Sequence, residues 1–317
     1  MSQTSTQVTN ATGVTAPVTQ RKSETKGFFA TGFSRFFSDK LSVIALVIFV
    51  IITIICFSAG WIGDNILHQK RDDIDFNLLT QGLQPPVGPG IGGHILGSDE
   101  LGRDLLVRVL YGGQVSLSVG FLTALVSVLL GTTLGLVAGY FGGKIDDAVN
   151  ALVQIIFNVP SLFLLIVLSL FFKPDILSLS IIIGLISWTG GTRQIRGQVL
   201  SLRNRDYVDA ARVMGASNSR ILFVHILPNV ISTMLVVAGF DVVGAMLTES
   251  GLSFLGFGIS VPIPSWGNML SDSQLYFTSA PWMVYAPAIA FFVTVLCVYL
   301  IADGLRDAFD PRLKDKS

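Results

Sequence analysis

Charge is scarce in this chain. Only 13% of its 317 residues are Asp, Glu, Lys or Arg, where a soluble domain carries roughly 25%. Formal net charge is zero, so no long-range field points to nucleic acid as a partner. Cysteine is nearly absent. Cys56 and Cys297 each sit inside an apolar run, which excludes a disulfide framework and a thiolate metal site. The three histidines, His68, His94 and His225, are scattered and lack metal-ligand spacing. A phosphate-binding Gly-x-x-x-x-Gly-Lys-Ser/Thr loop is missing too. The nearest approach, GYFGGKI at Gly139–Ile145, has the wrong spacing and an Ile after the Lys. No hydroxyl or thiol nucleophile has a recognisable base beside it, so nothing points to catalysis by this chain.

What is present is apolar. Hydrophobic residues make up 51% of the chain and mean hydropathy is +0.66. A helix needs about 20 apolar residues to cross the hydrocarbon core of a bilayer. Six stretches approach that length: 41–62, 114–140, 149–172, 176–194, 230–250 and 283–303. The predicted fold is an all-α polytopic membrane protein with six transmembrane helices. Residues 1–27 begin with a Ser/Thr/Gln-rich stretch without an apolar core, which reads as a disordered tail, not a signal peptide. FFKPD at Phe171–Asp175 reads as a turn between the third and fourth spans.

Lys and Arg near span ends set the orientation. They collect before residue 41, in the 193–229 loop and after residue 305, while 251–282 holds none. The 63–113 segment carries four basic and seven acidic residues. Both termini and the 193–229 loop are therefore expected in the cytoplasm. The expected organisation is a tail (1–27), an N-terminal segment with the first span (28–80), an extracytoplasmic or interfacial segment (81–113), a five-helix core (114–304) with a cytoplasmic insert at about 195–229, and a cytoplasmic tail (305–317).

That insert is the most informative part of the sequence. RDYVDAARVMG predicts a short helix with Asp206 as N-cap and Gly215 as its stop. Ser217 is placed to cap a second helix, which Pro228 cannot continue without losing a backbone bond. Ala210, Ala211 and Gly215 leave a small-residue face, and Val213 and Met214 add adaptable apolar area. Such a helix suits a cleft on a partner protein. An amphipathic connector on the inner leaflet fits the same residues.

Two motifs carry a resemblance. Asp209-Ala210-Ala211, Gly215 and Ile226-Leu227-Pro228 resemble the cytoplasmic EAA loop of ABC importer permeases, with Asp where that family usually has Glu. LGSDELGRDLLVRVLYGGQVSLSVG at Leu96–Gly120 looks like the segment before the second span in the dipeptide, oligopeptide and nickel branch, C-type subunit. The resemblance covers roughly residues 28–313. It implies a type I ABC importer permease fold in the cell (plasma or inner) membrane. It also implies a second homologous permease, two ATP-binding subunits carrying ATP and Mg, and an extracytoplasmic substrate-binding protein. Asp209, Ala210, Ala211, Val213, Met214, Gly215, Leu227 and Pro228 would then couple to the ATPase. Di- or oligopeptides are the implied substrates, with nickel chelates and oligosaccharides as alternatives.

Read by itself, 96–120 predicts an interfacial helix capped by Ser98, with Asp99 and Glu100 in its first turn. Asp241 lies mid-span, and Glu249 follows eight residues later, within about 80° on a helix. Carboxyls at such depth face the bundle interior, a partner or a water-filled path. Both are candidates for a substrate path, and Asp241 is also the residue on which a secondary transporter or channel would run. Gly131, Gly135 and Gly139 form a small-residue stripe for close helix packing, within the bundle or against a second permease, and Gln154 and Asn158 read as helix-packing polar groups. The Gly/Pro-rich 251–270 stretch is expected to cap the bundle.

Overall fold

The computed structural model describes residues 28–172 and 174–309. The expected disordered tail, Lys173 of the predicted turn and residues 310–317 lie outside the described residues. The helices are α1 (Phe28–Phe36), α2 (Lys40–Phe57), α3 (Ala59–Ile62), α4 (Asn77–Thr80), α5 (Leu105–Phe141), α6 (Gly143–Asn158), α7 (Ser161–Phe171), α8 (Ile176–Leu202), α9 (Asp206–Val213), α10 (Asn218–Arg220), α11 (Leu227–Phe254), α12 (Trp266–Asp272) and α13 (Trp282–Phe309). No strand occurs among the described residues.

Five helical runs are long and apolar enough to cross a membrane: α2, α5, α8, the continuous run Asn218–Phe254, and α13. The expected third span, 149–172, is not one straight helix. It divides into α6 and α7, bent by 86°. Pro160 is the cause. It has no N–H to continue the ladder of α6, and it holds the preceding Val159 in extended backbone (φ −92°, ψ 125°). The described residues thus hold five helices long and apolar enough to cross, or six if the bent pair is one span.

Three further boundaries differ from expectation. α5 begins at Leu105 and runs without a break past residue 114. Ser98 does not cap a helix. It pairs with Asp104 in an isolated bridge, and Asp104 caps α5 by accepting from Val107 N at 2.9 Å. Gly102, at φ +82°, makes the intervening turn. α8 continues past 194 to Leu202, because a helix need not stop where its apolar stretch does. The fifth span starts far before residue 230. α10 passes through a π-helical segment, Ile221–Ile226, directly into α11. Pro228 sits in the first turn of α11, where its missing N–H is tolerated. The widened turn ahead of it accommodates the ring without a break.

α5 is the central column, and its most extensive partner is α8. The glycine stripe packs within the bundle. A Cβ on Gly135 would lie 3.0 Å from Ile195 and one on Gly139 2.8 Å from Val199, both on α8. α12 closes the end of the bundle where α5 begins, with Trp266 wholly buried and donating from Nε1 to Val109 O of α5 at 2.9 Å. Asn268 holds the Gly/Pro-rich stretch by donating to Ile259 O and Ile263 O at 3.0 and 2.9 Å. That stretch caps the bundle as expected.

Candidate functional site

The jointed insert has one face packed into the bundle and an exposed tip. Val208 and Ala211, on the inner face of α9, are buried with Ile221, Leu222 and Ile226 against Leu136 and Tyr140 of α5 and Ile195 and Val199 of α8. The N-cap is Arg205, with Asp206 as the first helical residue, one place earlier than expected. Asp206 and Asp209 both fall in the first turn, where the helix dipole favours negative charge. Asp209 accepts from Arg212 at 2.7 Å, an exposed pair.

Gly215 ends the helix as its residue type requires. It adopts φ +81°. Its N–H donates to Arg212 O and the Ala216 N–H to Ala211 O, both at 3.0 Å, which is the Schellman arrangement. Ser217 then accepts from Arg220 N at 3.3 Å and starts the next helix. At the tip, Val213 is 88% exposed and Met214 81% exposed. Ala210 is exposed beside them, whereas Leu227 and Pro228 are half-buried where the insert joins α11. Ala211 is part of the packed face.

The intramembrane carboxyls are turned into the bundle. Asp241 accepts from Ser127 of α5 at 2.6 Å. Glu249 is fully buried and accepts from Ser116 at 3.0 Å and Ser253 at 2.8 Å. The opposite holds for Gln154 and Asn158, read from sequence as packing groups. Both lie on an open face of α6.

At the same end as α12 a compact polar knot precedes α5. Asp99 accepts from Arg103 Nε at 2.6 Å and lies 3.2 Å from Arg108 Nε. His94 is wholly buried, with Nδ1 2.8 Å from Asp104 Oδ2 and Nε2 3.5 Å from Asp75. Burial pushes the carboxyls of Glu100 and Asp272 above their ordinary range.

The comparisons with known proteins agree with this architecture. Residues 131–315 match the family described as binding-protein-dependent transport system inner membrane component. Residues 27–86 match the N-terminal TM domain of oligopeptide transport permease C. The chain belongs to the binding-protein-dependent transport family. It is a multi-pass inner-membrane component of such a system.

Curated relatives of this inner-membrane component include the oligopeptide transport system permease protein OppC of Haemophilus influenzae, 40% identical over 88% of this chain and 86% of that one. OppC of Escherichia coli K12 is 40% identical over 88% and 89%, and OppC of Bacillus subtilis 35% over 88% and 88%. A chain from inward-facing conformations of the MetNI methionine ABC transporter shares the fold. Its TM-score is 0.53 and its identity 16%, over 64% of this chain and 96% of that one.

Two arrangements in the permease were not legible in the sequence. Asp146 of α6 takes both Nε and Nη2 of Arg196 on α8, at 2.5 and 2.6 Å. Arg193 of α8 stacks over the ring of Phe157 on α6, its guanidinium carbon 3.6 Å from the ring centroid. Each crosses between helices, so no local spacing announces it.

Proposed function

We propose that this chain is one of two permease subunits of an ATP-driven importer of di- and oligopeptides. It crosses the membrane six times, counting α6 and α7 as one broken span, and both termini face the cytoplasm. Two separate ATP-binding subunits hold ATP and Mg. A second, homologous permease completes the pore, and an extracytoplasmic binding protein delivers the peptide to the 63–104 and 251–282 face. The peptide class rests on the names of the OppC relatives.

The observation that carries this reading is the lever tip. Val213 and Met214 are apolar, adjacent and almost fully exposed on a helix whose other face is locked into the bundle. An apolar tip on a rigid base fits a groove on a partner better than it fits water. α9 is the part that a closing ATPase pair would move. Because Val208 and Ala211 pack on α5 and α8, its displacement would be passed to those helices, with Gly215 as the joint. The reading runs the path along the open face of α6, α7 and α8, with Asp241 and Glu249, bonded to Ser127 and Ser116 of α5, as further candidates to line it.

The test is Val213→Asp together with Met214→Asp. These side chains touch little of their own chain, so the variant should insert normally. Expected is loss of ATPase subunits from the purified complex and loss of ATP-dependent peptide uptake in proteoliposomes. Retention of both would overturn the lever. Uptake by this chain alone on a proton gradient would instead favour a secondary transporter.

A further inference from the structure

The break between α6 and α7 opens a groove of about 410 Å³ lined by Phe157, Pro160, Ser161, Ser187 and Thr189 among others. Its α8 wall, Ile186 to Thr189, lies within the apolar stretch 176–194 of α8, so the groove is at membrane depth. Non-helical backbone at that depth is tolerated only where it is buried in protein or lines a wet cavity. Here α7 starts at Ser161 behind Pro160, without a side-chain cap, which leaves its first-turn N–H groups without intrahelical partners.

Arg193 stands at the rim. It is one turn beyond Thr189 on α8, and its guanidinium stacks on Phe157, whose ring lines the groove. Among the described residues it has no ion pair, whereas Arg196, three residues on, is neutralised by Asp146. Arg193 is also nine residues, about 14 Å of helix, short of the end of α8. Space is left around the guanidinium. A Cβ on Gly190 or Gly197, at −3 and +4, would meet nothing within 4 Å.

Arg193 stands at the last residues of the apolar stretch of α8, and an unpaired cation bordering hydrocarbon is favoured where something anionic visits it. Stacking on Phe157 fixes the plane of the guanidinium and leaves its edge N–H donors free, in the fork that matches a carboxylate. We propose that Arg193 and the groove at the α6–α7 break bind the C-terminal carboxylate of the peptide in transit, with the groove hydroxyls meeting its backbone. This rests on the peptide reading above. A groove of this size with three hydroxyl-bearing residues suits a polar ligand better than an acyl chain.

The test uses the complete transporter in proteoliposomes, with trialanine and its C-terminal amide as probes at saturating receptor. The readout is the ratio of initial uptake rates, acid over amide, compared between wild type and variant. The receptor's own preference then cancels. Arg193→Gln should lower this ratio about tenfold, as loss of a charge-assisted bond implies. Arg193→Lys should lower it less. An unmoved ratio, or an equal fall for both peptides, would overturn the inference and assign Arg193 to packing or a lipid phosphate. Failure of R193Q to assemble, cured by R193K, would assign it to a carboxylate of the second permease and overturn it equally. If R193Q and R193K both assemble poorly, the ratio measured on the assembled fraction still decides. Wild type importing neither probe would sink the peptide reading itself, and this inference with it.

Discussion

Ser116 Oγ and Glu249 Oε2 meet at 3.0 Å although 133 residues separate them in sequence. The same Ser116 oxygen accepts from Trp266 N at 3.3 Å. One hydroxyl therefore joins α5, α11 and α12, and the buried carboxyl answers it with a further bond from Ser253.

Glu249→Ala should therefore loosen the α12 end of the bundle. It strips the acceptor from buried hydroxyls, a loss of about 1–3 kcal/mol. Glu249→Gln keeps an acceptor and should cost less. Thermal unfolding of the purified complex measures both. Equal midpoints for wild type and Glu249→Ala would show that the knot is not structural.

Close approach of α5 and α8 gives a second expectation. Gly139→Leu must displace Val199, since even a Cβ there would stand 2.8 Å from it. Overpacking of this kind costs about 1–3 kcal/mol. Gly244→Ala on α11, where a Cβ meets nothing within 4 Å, should be neutral or slightly stabilising. Comparing the two by thermal midpoint separates crowding from a general intolerance of glycine replacement.

These helices show which features composition can and cannot reveal. Apolar length located the five long apolar helices among the described residues, because hydrocarbon thickness imposes it on the chain directly. It missed the division of 149–172, since averaging over that run conceals one Pro160 whose missing N–H breaks the ladder. It also placed Arg193 in a loop, because the apolar stretch of α8 ends near 194 while its hydrogen bonding persists to Leu202. Local rules served best where the physics is local. Gly215 was readable as a helix stop because its positive φ and two backbone bonds involve only neighbours. Ser98 was misread, since its bridge to Asp104 depends on a turn at Gly102. The carboxyl directions of Asp241 and Glu249 were unreadable, because their hydroxyl partners come from another helix.

The Asp146–Arg196 pair anchors α6, which otherwise buries only Val153. Asp146→Asn should speed amide exchange along Gly143–Asn158 with little change elsewhere. The effect on overall stability should be small, about 1 kcal/mol or less for a partly exposed pair. Exchange that rises equally in α5 and α8 would mean that α6 is held by something other than this bond.

Acidity offers a test of the polar knot before α5. Burial raises the carboxyl pKa of Asp272 above its ordinary 3.8, against the pull of Arg108 and Arg103. A carboxyl with a raised folded pKa binds more protons folded than unfolded in the window between the two values. Its contribution to stability is then greatest below pH 3.8 and is lost as pH climbs through the raised value. Ionised Asp272 is thus a burden at neutral pH, and Asp272→Asn removes it. The variant should melt above wild type near pH 7, and the gap should close as pH falls toward 3.8. A gap that widens on acidification would mean that Asp272 is held ionised by Arg108, and that the knot is an ion-pair network instead of a buried acid.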